Sequence, residues 1–118
     1  MERTWFSEVA DELARCLTDA EASAKACEAL LESVRADGVD DTTRRVLRAL
    51  VPPAAIARVL IELIDQPPEM ILAACRLCRE SAREAISDLD AIHVETSPVV
   101  AALRTSADSC ERLLDAAG

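Results

Sequence analysis

The sequence predicts an all-α protein: an antiparallel up-down-up-down four-helix bundle with a proline-interrupted second helix. Three observations predict it. The 118 residues are 51% hydrophobic but only 2% aromatic, with two glycines and no tyrosine, and good helix formers dominate. Long stretches place apolar residues at heptad spacing, the signature of a helix with one buried seam. The breaks between these stretches are a few residues long, and a turn of that length carries the chain only into an antiparallel neighbour. The length suits a single domain over 1–118, enough to bury a core without disulfides.

The first helix is expected to start near Thr4 or Ser7, either of which is a capping type, and to run to about Arg35, where Asp37-Gly38 supplies a stop. Its inward seam has two lines, Phe6, Leu13, Ala20, Cys27 and Val34 beside Val9, Cys16, Ser23 and Leu30. The second element opens after Asp40-Asp41 with TTRRVLRAL, meets Pro52-Pro53 and resumes as AAIARVLIELID up to Asp65. Proline removes a backbone donor and crowds the preceding turn, so a kink is expected, or a short helix followed by a main one. Ala54 to Ile64 is the most hydrophobic stretch of the chain and reads as a deeply buried helix.

Gln66-Pro67-Pro68 forms a tight break, and the third helix is expected from Pro68 to Ile92. Ile71, Cys78, Ala85 and Ile92 make one inward line, and Cys75, Ala82 and Leu89 the other. His93 to Thr96 form the next turn. Ser97 is a good cap with Pro98 at the first helical position, and the fourth helix continues to about Ala116 with Leu103, Ala107, Cys110 and Leu114 inward.

A formal net charge of -9 argues against nucleic acid as a partner, because phosphate contacts need a basic surface. The first twenty residues carry charges throughout and no apolar run approaches the roughly 18 residues of a membrane span, so a cytoplasmic protein without a membrane partner is expected. Five cysteines in a reducing compartment stay as thiols, and an odd count suits a disulfide framework poorly.

The helical rise of about 1.5 Å per residue places those thiols along the bundle. From the end holding Phe6 and Pro68, Cys16 and Cys78 fall at roughly 15 Å, Cys75 at about 10 Å and Cys110 near ~18 Å, whereas Cys27 stands at roughly 31 Å. Four thiols from three helices thus share one level. Thiolates select Cu(I), Zn(II) or iron–sulfur clusters over hard cations, and sulfurs at i and i+3 can grip an ion from one side while Cys16 and Cys110 close the other. The competing explanation is packing, since reduced cysteine is among the most buried residue types.

Other chemistry finds little support. His93 is the single histidine, and its place at a helix C-terminus suits a favourable charge there or a ligand at the point of metal access. Glu80, Glu84, Asp88 and Asp90 fall mostly outward, no inward Glu-x-x-His of a di-iron bundle is present, and no catalytic constellation marks an enzyme or a small-molecule pocket. Arg44, Arg45 and Arg48 form a basic patch, explained by a solvated face or intrachain ion pairs. Trp5 and Phe6 are the aromatics, both at one end, where they plug the bundle; an exposed Trp5 would instead mark a homodimer contact.

The segments ARCLTDAEASAKACEALL, residues 14 to 31, and ACRLCRESAREAISDLDAIH, residues 74 to 93, resemble the cysteine-rich four-helix-bundle copper storage proteins, which line the inner faces of their helices with cysteines three or four apart. Cys16, Cys27, Cys75, Cys78 and Cys110 fit that rhythm, and His93 ends the third helix near the place where the family often has histidine. Ala20, Ser23, Ala82, Ala85 or Ile86, Leu103, Ser106 and Leu113 or Leu114 stand where further cysteines would be. The resemblance covers nearly all the chain after Trp5. It implies a four-helix bundle and a divergent, low-capacity Cu(I) binder, with the metal at Cys16, Cys75, Cys78 and Cys110 and with Cys27 and His93 secondary. The alternative is a metal-free structural or protein-interaction module on the same fold.

Overall fold

The structure, a computed structural model, describes residues 2–36, 38, 40–92 and 97–118; the side chains of residues 2–4 and 97 are outside it, as is His93. Four helices carry the fold: α1 (Glu2–Ala36), α2 (Asp41–Glu62), α3 (Pro68–Ile92) and α4 (Ser97–Ala117), with a 3-10 turn over Leu63–Asp65. They form a ring in which α1 packs on α2 and α4, and α3 packs on the same two helices. The expected bundle is the observed one.

Local sequence accounts for the boundaries. α1 begins at Glu2, so Thr4 and Ser7 lie inside its first turns rather than capping it. It ends before Gly38, whose φ of 102 lies where an L side chain is strained and whose N–H bonds back to the Arg35 carbonyl at 3.3 Å. The Asp40 carboxylate caps α2 by accepting from the Thr43 N–H at 2.7 Å. α2 then runs unbroken through Pro52 and Pro53. Proline interrupts its hydrogen bonding, since the carbonyls of Arg48 and Ala49 lose their i+4 donors, but the helix continues as one element to Glu62. Buried Val46, Leu50, Ala54, Ala57 and Leu60 hold both halves of the helix to one core.

Two predicted details are corrected. On α1 the buried position near the top is Leu31, with Leu30 half-buried, and Ala24 is buried beside Ser23. A straight helix of 3.6 residues per turn drifts about 20° per heptad against a 3.5 repeat, so over 35 residues the seam moves by one position. The second correction concerns Ala54 to Ile64. It is buried on its inner side only, while Ala55, Val59 and Ile64 are exposed. A helix at the corner of a four-membered ring always has one side facing out, however apolar its sequence.

The core has two tiers. The lower contains Val9, Leu13, Cys16, Leu60, Ile71, Cys75, Cys78, Cys110 and Leu113, closed at its end by half-buried Trp5 and Phe6 in edge-to-face contact at 4.9 Å. Trp5 therefore plugs the bundle. The upper tier is aliphatic, built on Leu31, Val46, Leu50, Leu89, Val99 and Leu103, with Cys27 as its one thiol. Polar bridges fasten adjacent helices: Arg58 of α2 reaches Glu21 at 2.7 Å and Glu28 at 2.6 Å on α1, Arg79 of α3 reaches Glu111 of α4 at 2.5 Å, and the Ser109 hydroxyl of α4 donates to Asp19 of α1. Among the described residues no helix is long and apolar enough to cross a membrane.

Candidate metal centre

Each thiol reaches the axis because its helix buries the face that carries it. Cys16 lies between Leu13 and Ala20 on the α1 seam, Cys75 and Cys78 follow Ile71 on α3, and Cys110 lies between Ala107 and Leu113 on α4. All five cysteines are free and buried. α2 supplies none, and lines the lower tier with Ala57 and Leu60 instead.

The expected level is observed, with one distinction. The sulfurs of Cys16, Cys75 and Cys110 all lie within 4.8 Å of one another. Cys16 Sγ is 3.6 Å from Cys110 Sγ and 4.0 Å from Cys75 Sγ. Three thiolates about 2.3 Å from a central ion sit about 4.0 Å apart, the edge of a triangle around it. The triad is therefore already close to the spacing of a three-coordinate sulfur site. Cys78 stands beside it, with its sulfur 3.9 Å from the Ser106 hydroxyl. Cys27 is in the upper tier.

Protons are held unequally in this cluster. The hydrogen bond with Cys110 pushes the Cys75 thiol up to about 12, with burial adding to it and the bond to Cys16 opposing. Cys110 is raised further, first by its bond to Cys16. For Cys16 the bond to Cys110 lowers the value, but the bond to Cys75, burial and the neighbouring sulfurs outweigh it, and the thiol is raised. Cys78 goes the other way, because hydrogen bonds from Cys110 and Ser106 favour its thiolate against burial. Burial, aided by the nearby Glu28 and Cys78, pushes Cys27 up to about 11 against the opposing effect of Ser23. The triad thus stays protonated at neutral pH, and a soft cation that binds there must expel its protons.

Sequence reasoning placed Ser23 and Ser106 on inner faces but gave them no partners, and it missed Ser109. All three are 1–2% exposed, and Ser106 and Ser109 provide partners for Cys78 and Asp19. The available signal was their spacing: Ser106 lies four residues before Cys110, on its face.

A family model described as copper storage protein matches residues 9–115. No curated protein and no solved structure matches the chain significantly. The match takes in all four helices and every cysteine, and on that ground this chain belongs to the copper storage protein family.

Proposed function

We propose that the chain binds Cu(I) at low capacity, with Cys16, Cys75 and Cys110 as the ligand triad and Cys78 as the neighbouring fourth thiol. The observation that carries this reading is the triad's spacing, with sulfurs of three different helices within 4.8 Å of one another. Cu(I) is favoured over Zn(II) because three equivalent thiolates complete a site for a soft ion, whereas a structural zinc site requires four ligands in a tetrahedron. Low capacity follows from the rest of the interior. Ala20, Ala82, Ala85, Leu103 and Leu113 are buried where further sulfurs would be needed. Cys27 and His93 are secondary: Cys27 belongs to the other tier of the core, and His93 lies outside the described residues. Five free thiols suit a reducing, cytosolic setting.

Anaerobic titration with Cu(I) against a competing chelator tests the reading. The expected result is tight uptake of a few equivalents that is lost in the Cys75→Ser/Cys78→Ser variant. Equal stoichiometry and affinity in that variant would refute it. No uptake at all would favour the metal-free interaction module.

A further inference from the structure

Among the described residues, the cluster of ligand atoms lying within 4.8 Å of one another consists of three sulfurs and no carboxylate: Cys16, Cys75 and Cys110. Their surroundings are uncharged. The other buried members of the lower tier are aliphatic apart from Cys78, and Arg79, the cation next to Cys78 in sequence, is held by Glu111 and Glu80. All three residues of the triad are fully buried, so a net charge left on them is cut off from water.

Burial sets a charge condition on what binds there. Three thiolates leave two net negative charges around a monovalent ion, one around a divalent ion and none around a trivalent centre. The last of these complexes is neutral in the apolar tier, whereas a monovalent ion must offset the burial of charge by its affinity for sulfur. Number and shape agree with charge. A trivalent centre that keeps a lone pair is saturated by three sulfurs and needs neither a fourth thiol nor a water. Its bonds form a pyramid, so sulfurs about 2.3 Å from it lie closer together than the ~4.0 Å edge of a planar triangle. The sulfurs of Cys16 and Cys110, at 3.6 Å, are inside that edge, and those of Cys16 and Cys75, at 4.0 Å, are on it. Cys78, with its sulfur 3.9 Å from the Ser106 hydroxyl, is the neighbouring thiol that such a centre leaves free.

We propose that Cys16, Cys75 and Cys110 take up a trivalent metalloid, captured from water as arsenous acid, in a neutral complex of three sulfurs. The inference rests on the triad of the proposed function as a ligand set, but not on its occupation by copper. The reaction is a ligand exchange without redox change: As(OH)3 and three cysteine thiols give an arsenic tris-thiolate and three waters. In each of the three exchanges an As–O bond breaks, an As–S bond forms, and the thiol proton leaves with the hydroxide as water. Arsenic stays As(III), and no oxidant, base or free proton enters the balance. Burial favours the protonated thiol, which is the reactant form.

The test adds sodium arsenite anaerobically to the metal-free full chain, kept reduced with a phosphine because dithiols compete for arsenic. Native mass spectrometry is expected to show one arsenic per chain in place of three protons. Arsenic X-ray absorption is expected to show a first shell of three sulfurs without oxygen, and in Cys16→Ser an oxygen in place of one sulfur. No uptake by the wild type overturns the proposal, and so does a wild-type shell that retains oxygen, a reading that needs no variant to fold. A three-sulfur shell unchanged in Cys16→Ser also overturns it, because the arsenic is then held elsewhere. A parallel Cu(I) titration separates the two readings. Copper uptake without arsenic uptake overturns the metalloid inference and leaves the copper reading standing; arsenic in a three-sulfur shell lost in Cys16→Ser, without copper uptake, supports the inference while the copper reading fails.

Discussion

Replacing Cys16 by serine is the sharpest perturbation of the metal centre, because its sulfur contacts both other members of the triad, at 3.6 and 4.0 Å. Two effects follow, and they are separable. Without metal, a hydroxyl enters a fully buried site whose nearest partners are sulfurs, at a cost of about 1–3 kcal/mol. An unfolding entropy of about 2.1 cal/mol/K per residue makes 1 kcal/mol worth about 4 °C in a chain of this length, so the metal-free Tm falls by about 4–12 °C. With metal, free Cu(I) held at about 1,000 times the wild-type Kd stabilises the wild type by about 4 kcal/mol, or about 16 °C. Losing one of three thiolates, taken as a weakening of about 100-fold, leaves about 1.4 kcal/mol at the same free Cu(I), near 6 °C. The assay is thermal melting followed by circular dichroism, under nitrogen, with chelator-buffered Cu(I). If Cys16→Ser gains as many degrees from copper as the wild type, the triad is not the ligand set.

Three further outcomes are expected. Leu103→Ala, in the fully buried upper tier, lowers stability by about 2–5 kcal/mol in urea titration and leaves Cu(I) affinity unchanged, since the site lies in the other tier. Arg58 holds the Glu21 and Glu28 carboxyls below the ordinary carboxylate range, so these groups stabilise the fold above that range and lose the contribution as pH falls through their depressed values; Arg58→Ala therefore makes stability less steeply dependent on pH in the acid limb of a denaturation series. Burial pushes Cys27 up to about 11 and leaves it 0% exposed, so its alkylation near pH 8 proceeds through opening of the fold and tracks the equilibrium population of the open form, which mass spectrometry of quenched samples follows.

The bundle was legible because its signals are redundant. The third helix, Pro68 to Ile92, is entered through a proline pair, and its apolar lines are separated by charged residues throughout. The common level of Cys16, Cys75 and Cys110 followed from rise per residue and antiparallel order alone. What the chain did not disclose depends on rotation and rotamer. Leu31 in place of Leu30 comes from the slow drift of a long helix, which a heptad grid ignores. That Cys78 reaches for Ser106 while Cys75 joins the triad depends on χ1 choices made against neighbouring helices. The exposure of Val59 in the most hydrophobic stretch depends on which flank of α2 the ring leaves uncovered.

The absence of cysteine from α2 gives the loaded protein an unequal mechanical character. An ion held as proposed at Cys16, Cys75 and Cys110 would cross-link α1, α3 and α4 and leave α2 outside that bond. α2 is kept in place by side-chain packing and by the reach of Arg58 to α1, and two carbonyls near its middle lack their amide partners because of Pro52 and Pro53. Copper bound as proposed would brace three staves of the barrel and leave α2 held by its packing and by Arg58.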